Sequence, residues 1–124
     1  MSEGNMEFKG TPGEWIADIR GGCAAIYPKD RANDTPGCHY SDERNIAYST
    51  KGANYDVAAG YWNLDPSVEH DFRLMAAAPK LLVALQDMVA LVKSRAYPQP
   101  DKPLSDWGRA DAAELIIKEA LGEE

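Results

Sequence analysis

The segment "HDFRLMAAAPKLLVALQDM" (residues 70–88) constrains the fold more than any other part of the chain, because it is rich in helix formers yet carries Pro79 in its middle. Proline has no backbone N–H to donate and disfavours helical geometry at the residue before it. The helix must therefore kink here, or stop and restart with Pro79 at its new first position. We predict that the turns carrying Phe72 and Arg73 point away from the apolar stripe of the helix that follows.

Apolar residues cover an unusually wide part of this following helix (79–95). One stripe consists of Leu81, Leu85, Met88 and Val92, and four more residues widen it beyond the roughly 100° arc that a single core contact needs: Leu82, Val83, Val89 and Leu91. We predict that the helix contacts two partners, its own sheet and another helix. Its second face is predicted to form an interface between copies of the chain through Leu82, Val89 and Leu91.

Residues 12–63 have a different pattern, with short apolar pieces among many Gly, Asn, Asp and Pro residues. This pattern is typical of antiparallel sheets. The segments "EWIADIR" (14–20), "CAAIYP" (23–28), "NIAYST" (45–50) and "VAAGYWN" (57–63) are predicted strands of a sheet of about four to six strands. Residues 29–43 are a predicted polar loop.

Helix signals begin at residue 65. Asp65 is placed to cap a helix, with Pro66 at its first position and Glu69 in its first turn. A second helix is predicted from Ser105 to about Leu121, closed by Gly122. The predicted fold class is α+β: a small antiparallel sheet, then two C-terminal helices of which the first is kinked at a proline. At 124 residues we expect a single domain (1–124), with a β-rich half (6–64) and a helical half (65–124).

Charge and composition limit the partners of the chain. The net charge of −7 argues against a duplex nucleic acid partner. Residues 66–104, with 5 basic and 4 acidic residues, are the segment that would repel an anion least. No apolar run is long enough to span a bilayer, and no signal-peptide pattern is present, so we expect a cytosolic protein without a membrane partner and with both thiols reduced. We assign no role to residues 1–5.

Residues that could carry catalysis or hold a metal are sparse. Cys23, Cys38, His39 and His70 lack the paired spacing of a zinc site, and no glycine-rich phosphate loop is present. The carboxylates have no apolar surroundings that would raise their pKa for acid or base catalysis. We therefore predict no metal, no cofactor and no catalytic residue.

Aromatic and cationic residues offer a different chemistry, the binding of a small anion with flat rings. Stacking on a base contributes about 1–3 kcal/mol, and an arginine binds phosphate through two hydrogen bonds. The residues that carry this prediction flank the two helices: Phe72, Arg73, Arg95, Trp107 and Arg109. Phe72 and Trp107 have an alternative role in core packing, and Arg73 has one as a surface charge.

Two motifs resemble a widespread group of small phage-encoded proteins: "FKGTPGEW" near the start and "RLMAAAPKLLVALQDM" (73–88). That group shares a TPG-x-W opening, a β-rich first half and a helix of the pattern N-A-R-L-I-A-A-A-P-E-L-L-x-A-L. In this chain Asp71, Phe72, Met75 and Lys80 replace the usual Asn, Ala, Ile and Glu. The resemblance covers these motifs and the order of elements, and not the middle of the chain.

Within that group, the size and element order are most similar to the Thoeris anti-defence sponge family. The resemblance implies a protein that sequesters cyclic ADP-ribose signals made by TIR enzymes, or CBASS cyclic oligonucleotides, without cleaving them. It also implies a homodimer or a larger assembly of dimers, such as a hexamer, in the cytoplasm of an infected bacterium. Two other hypotheses remain open: an acidic inhibitor that binds a host defence nuclease or CRISPR complex, and a small enzyme such as a phosphodiesterase.

Overall fold

The computed structural model describes residues 7–33 and 37–123. Residues 1–5, for which we predicted no role, lie outside the described part. The elements confirm the predicted α+β class, with an antiparallel sheet first and helices after it. The strands are β1 (Trp15–Arg20), β2 (Cys23–Pro28), β3 (Ala47–Ser49), β4 (Asn54–Asp56) and β5 (Tyr61–Asn63). The helices are α1 (Pro66–Ala76), α2 (Ala78–Arg95) and α3 (Asp106–Ala120).

The strands form two sheets rather than one. The first has the order β1-β2-β3, with all neighbours antiparallel, and the second is the β4–β5 hairpin. The prediction of a single strand over residues 57–63 is wrong, because its first half is a turn. The Asp56 carboxylate accepts a hydrogen bond from the Ala59 N–H at 3.0 Å, and Gly60 takes a left-handed backbone (φ 80°) that few other residues tolerate.

Helix α1 covers one face of the three-stranded sheet. Its start is capped as predicted, because Asp65 accepts a hydrogen bond from the Ser67 N–H at 2.9 Å. The buried side of α1 presents Val68 and Phe72, which pack against Ala24 and Ile26 of β2. This cluster is the core of the sheet, and Phe72 belongs to it with 6% of its surface exposed.

The predicted break at the proline is confirmed. Helix α1 ends at Ala76 and α2 begins at Ala78, and the helical path bends between them. Pro79 occupies the second position of α2, where a missing N–H costs no intrahelical hydrogen bond. The break divides the predicted first helix in two, which gives three helices in the described chain. In that part, no single helix meets the length and composition required to cross a bilayer, whereas α1 and α2 taken as a bent pair do.

The same position separates two compact units of the chain. Within the described residues, 11–79 form one unit, and 80–123 with 7–10 form the other. The compositional boundary predicted at residue 65 lies inside the first unit, because α1 packs on the sheet. Within its own unit, α1 contacts the sheet, and within the other unit α2 packs with α3.

Helix α3 has close to the predicted bounds. The Ser105 hydroxyl accepts a hydrogen bond from the Gly108 N–H at 3.0 Å, and Gly122 follows the helix with a left-handed backbone. Gly108 is unusual inside a helix, where glycine is unfavourable. A Cβ atom here would collide with the Lys102 carbonyl and with Pro103, so glycine lets the connector lie against the first turn of α3.

The polar loop after β2 packs against the face of the sheet opposite α1. Arg44, whose side chain is 3% exposed, donates hydrogen bonds to Asp42 (2.6 Å from Nη2) and to the Arg31 carbonyl (2.8 Å). Its guanidinium lies 4.5 Å from the centre of the Tyr27 ring. The Tyr27 hydroxyl donates to Asp18 at 2.7 Å, and burial raises the pKa of Tyr27. A buried, fully hydrogen-bonded cation therefore anchors the loop.

The two cysteines join the same loop to β2. Cys23 and Cys38, with Cα atoms 6.3 Å apart, form a disulfide in the structure. The expectation that both thiols are reduced therefore differs from the state that the structure presents. The sequence did not predict this pairing, because Cys23 and Cys38 lie 15 residues apart and meet only through the fold of the loop.

The Arg44–Asp42 pair predicts how stability depends on acid. Hydrogen bonds from the Arg44 side chain and backbone lower the pKa of Asp42 from 3.8 to about 2. Between these pH values the unfolded state binds more protons than the folded state, so this contribution is complete above about pH 4 and is lost as the pH falls through 2. We expect Asp42→Asn to lower the free energy of unfolding at pH 7 and to flatten its change between pH 4 and 2.

Urea denaturation at a series of pH values measures this effect. Glu43→Gln is the matched control, because it removes a neighbouring exposed carboxylate and should keep the wild-type slope. An Asp42→Asn protein with the wild-type slope between pH 4 and 2 would contradict the role assigned to the Arg44–Asp42 pair.

Candidate functional site

Helices α2 and α3 pack side by side and leave a groove along one side of their contact. The contact is made by the buried residues Val89, Ala110 and Ile117. The groove has a volume of about 210 Å³, and its walls are mainly apolar: Leu85, Met88, Val89, Val92, Ala110 and Ala113. Asp106 and Arg109, from the first turn of α3, supply the charged groups of the lining.

A second groove lies near the end of α2 and has a volume of about 270 Å³. It is lined by Arg95 and shares Val92 and Asp106 with the first groove. In the described part of the chain, neither Arg95 nor Arg109 has a carboxylate partner within 4.0 Å. The structure thus brings two of the predicted arginines to neighbouring grooves with their guanidinium groups available.

Trp107 also belongs to this helical unit, but its ring contacts a lysine. The Lys93 ammonium lies 4.8 Å from the centre of the ring and donates hydrogen bonds to Asp111 and, at 3.0 Å, to Glu114. The hydrogen bond to Asp111 raises the pKa of Lys93. Trp107 is half-buried, and neither groove is lined by it. In the structure its ring contributes to the contact between α2 and α3.

The other two predicted residues lie in the sheet unit. Phe72 is part of the core, so its ring is covered by Ala24, Ile26 and Val68. Arg73 is exposed and donates hydrogen bonds to Glu69 at 3.0 and 3.1 Å. Of the five predicted ligand-binding residues, Arg95 and Arg109 therefore line the grooves of the helical unit, and Trp107 lies in the same unit.

Sequence reasoning missed the aromatic surface of the β4–β5 hairpin. Tyr55 and Trp62 face each other across the two strands, with ring centres 5.5 Å apart in an edge-to-face arrangement. About half of each side chain is exposed, as is that of Tyr61. The ring of Trp62 lies against Gly22, where a Cβ atom would come within 3.1 Å of it. The glycine pair Gly21–Gly22 was the available signal in the sequence, but only the fold brings it next to Trp62.

Metal ligands do not gather in the described residues. Within residues 7–33 and 37–123, no three His, Cys, Asp or Glu side chains are placed to hold an ion. The two grooves present two arginine forks, one carboxylate and an apolar wall.

The Lys93 cluster makes a testable contribution to the helical unit. We expect Lys93→Ala to lower the free energy of unfolding by about 1 kcal/mol, because it removes a cation from the Trp107 ring and two ion pairs that are partly exposed. Chemical denaturation followed by tryptophan fluorescence measures the change. Lys102→Ala, at an exposed lysine of the connector, is the control; an equal effect of both substitutions would contradict this role for Lys93.

Comparison with known proteins identifies the family. The model of the family described as Salmonella phage P22 protein Y8K6 matches residues 1–124, so the chain belongs to that phage protein family. No curated protein and no solved structure matches the chain. The family confirms the phage origin implied by the resemblance of the two motifs.

Proposed function

We propose that this member of the Salmonella phage P22 protein Y8K6 family is an anti-defence sponge, which sequesters a cyclic nucleotide immune signal without cleaving it. The ligand class is a cyclic ADP-ribose isomer or a cyclic oligonucleotide, and the place of action is the cytoplasm of the infected bacterium. One observation supports this function best: Arg95 and Arg109 lie at two adjoining grooves with apolar walls, and neither forms an ion pair with a carboxylate among residues 7–33 and 37–123. The ligand class comes from the resemblance to the sponge family.

The chemistry of the grooves suits a phosphate joined to a base. An arginine fork donates two parallel hydrogen bonds to a phosphate, and an unpaired guanidinium need not give up a carboxylate to do so. Met88 and Leu85 offer apolar surface for a flat ring. Asp106 repels phosphate but accepts hydrogen bonds from an amino or ribose hydroxyl group, which orients the ligand with its phosphates toward the arginines.

The net charge of −7 does not prevent such binding. Distant carboxylates are screened beyond about 8–10 Å at physiological salt, whereas the two arginines act at contact distance. Sequestration requires tight binding, and a nanomolar dissociation constant corresponds to about −12 kcal/mol. Charge-assisted hydrogen bonds give about 1.5–3 kcal/mol each, so several of them are needed together with apolar contact.

A second copy of the chain is part of this proposal. Ligand pockets that enclose a molecule of this size usually have at least about 300 Å³, and the first groove has about 210 Å³. Leu81, Met88 and Leu91 are each 43–55% exposed on α2, although Leu82 and Val89, two residues first assigned to this interface, pack toward α3. We propose a homodimer, or an assembly of dimers, in which the second copy covers the exposed residues Leu81, Met88 and Leu91 and completes the grooves.

Calorimetric titration with a panel of cyclic ADP-ribose isomers and cyclic di- and trinucleotides tests the function. We expect one ligand class to bind, and Arg109→Ala and Arg95→Ala each to weaken binding by about 10–100-fold, as loss of a charge-assisted hydrogen bond does. Arg73→Ala is the matched control because its guanidinium is already paired with Glu69. An equal loss of affinity in Arg73→Ala would contradict a binding site at the grooves.

The fate of the ligand distinguishes the remaining functions. Intact ligand recovered after denaturation supports a sponge, and hydrolysed ligand with turnover would make the protein a phosphodiesterase. The absence of heat with every member of the panel would contradict nucleotide binding and favour the inhibitor described below.

Sedimentation across micromolar to millimolar concentration tests the assembly. We expect the wild-type protein to form dimers or larger assemblies, and Met88→Glu to shift it toward monomer, because a charge in an apolar interface must be desolvated. Val83→Glu is the control, since Val83 is 57% exposed against 55% for Met88 but points to another side of α2. A wild-type protein that stays monomeric over the whole range would refute the interface.

An acidic inhibitor of a host defence nuclease or CRISPR complex is the second candidate. The exposed rings of Tyr55, Tyr61 and Trp62 favour it, since Tyr and Trp dominate the binding energy of protein interfaces. The net charge of −7 suits a partner that normally binds nucleic acid. Trp62→Ala would abolish such binding, whereas nucleotide binding in the α2–α3 grooves would remain.

A further inference from the structure

Residues 37–44 lie against the second face of the three-stranded sheet. Tyr27 and Ala25 of β2 are 3% and 0% exposed on this face, although α1 packs against the other face. Gly37 approaches so closely that a Cβ atom would lie 2.6 Å from an Asp18 carboxylate oxygen and 2.7 Å from the Tyr27 hydroxyl. This segment, which we call the cover segment, therefore lies against Tyr27 and Asp18 on the face opposite α1.

The cover segment is attached at both ends. Arg44 holds its far end through Asp42 and the Tyr27 ring. The near end is held by the bond between Cys38 and Cys23. Cys38 has a φ of 68°, the left-handed region that residues other than glycine rarely adopt. The near end therefore depends on a cross-link for a backbone geometry that its own residue does not favour.

The surroundings of the two sulfur atoms suit both redox states. The Cα separation of 6.3 Å is within the range of a disulfide. Backbone carbonyl oxygens also lie close: those of Cys38 and Arg20 are 3.2 and 3.6 Å from Cys23 Sγ, and that of Asp18 is 3.7 Å from Cys38 Sγ. A reduced thiol at either position therefore has an acceptor for its S–H group. Both residues are half-buried, so neither is sealed from a small reagent.

We propose that Cys23 and Cys38 form a reversible thiol–disulfide pair that controls how firmly the cover segment is held on the sheet. The oxidant is a small-molecule disulfide. One cysteine thiolate attacks it and releases one small thiol, and the second cysteine thiolate then displaces the other small thiol and closes the protein disulfide. Two electrons pass from the cysteines to the small disulfide, and the two cysteine protons end on the two released thiols. Reduction by a small thiol reverses both steps.

Reduction has a local consequence. It removes a cross-link between residues 15 apart and leaves Cys38 in an unfavourable backbone conformation. The Arg44 contacts and the packing of α1 on the sheet do not involve the sulfur atoms. The cover segment is therefore released at its near end while the sheet and α1 persist. This inference is independent of the proposed nucleotide binding.

Hydrogen exchange of the full-length protein tests the proposal. The protein is equilibrated in glutathione buffers of different ratios of disulfide to thiol, and alkylation with mass spectrometry reports the state of the pair. We expect a disulfide to form under oxidising conditions and amide exchange in residues 37–44 to rise about tenfold to a hundredfold on reduction, since the loop-closure factor for this length sets the upper bound for local opening. Peptides from residues 66–76 should keep their exchange rates.

Two variants separate the cross-link from the backbone. The double variant Cys23→Ser/Cys38→Ser should exchange like the reduced protein in every buffer. Cys38→Gly removes the cross-link but favours the left-handed backbone, so its cover segment should exchange more slowly than that of the double variant. Failure of the disulfide to form at any ratio, or equal exchange of residues 37–44 in both states, would overturn the proposal. A rise that extends to residues 66–76 would also overturn it, since the device would then be global unfolding.

Discussion

Pro79 has no backbone N–H, and the break between α1 and α2 follows from this missing donor. In a continuous helix from residue 66 to 95, Val68 and Phe72 would share one straight axis with the apolar residues of α2. The break after Ala76 instead lets α1 follow the sheet and α2 follow α3. Because the two compact units divide between Pro79 and Lys80, the proline also marks the boundary between two small cores.

In the sheet unit, a polar loop lies against the face of the sheet that α1 does not contact. A three-stranded sheet has two faces, and α1 can cover only one of them. On the other face a polar loop lies against Tyr27, and its buried charge must be satisfied, which explains why Arg44 contacts Asp42, the Arg31 carbonyl and the Tyr27 ring. The Cys23–Cys38 bond adds a covalent attachment at the other end of the segment.

The candidate site illustrates how neighbouring residues in a sequence take opposite roles. Phe72 and Arg73 are adjacent, yet α1 turns the ring into the core and the guanidinium toward Glu69 at the surface. Arg95 and Arg109 are 14 residues apart, and the packing of α2 on α3 brings them to grooves that share Asp106 and Val92. Residue type alone predicted which groups can bind an anion, but partners within hydrogen-bond distance determine which of them are available.

Local signals in the sequence were sufficient for the elements whose causes are local. Asp65 with Pro66 predicted the start of α1, Ser105 and Gly122 predicted the ends of α3, and Pro79 predicted the break, because caps and missing donors act within a few residues. The predicted strands over residues 14–20 and 23–28 pair as the main hairpin, since the two glycines between them turn the chain locally.

Only the tertiary structure decided what depends on contacts between distant residues. The strand predicted over residues 57–63 became a turn and a short strand that pairs with Asn54–Asp56. Arg44 gained its partners, the two cysteines met, and Leu82 and Val89 turned toward α3 rather than toward an open face. A single sequence carries the propensity of each segment, whereas the free energy of burying one side chain depends on which other segment covers it.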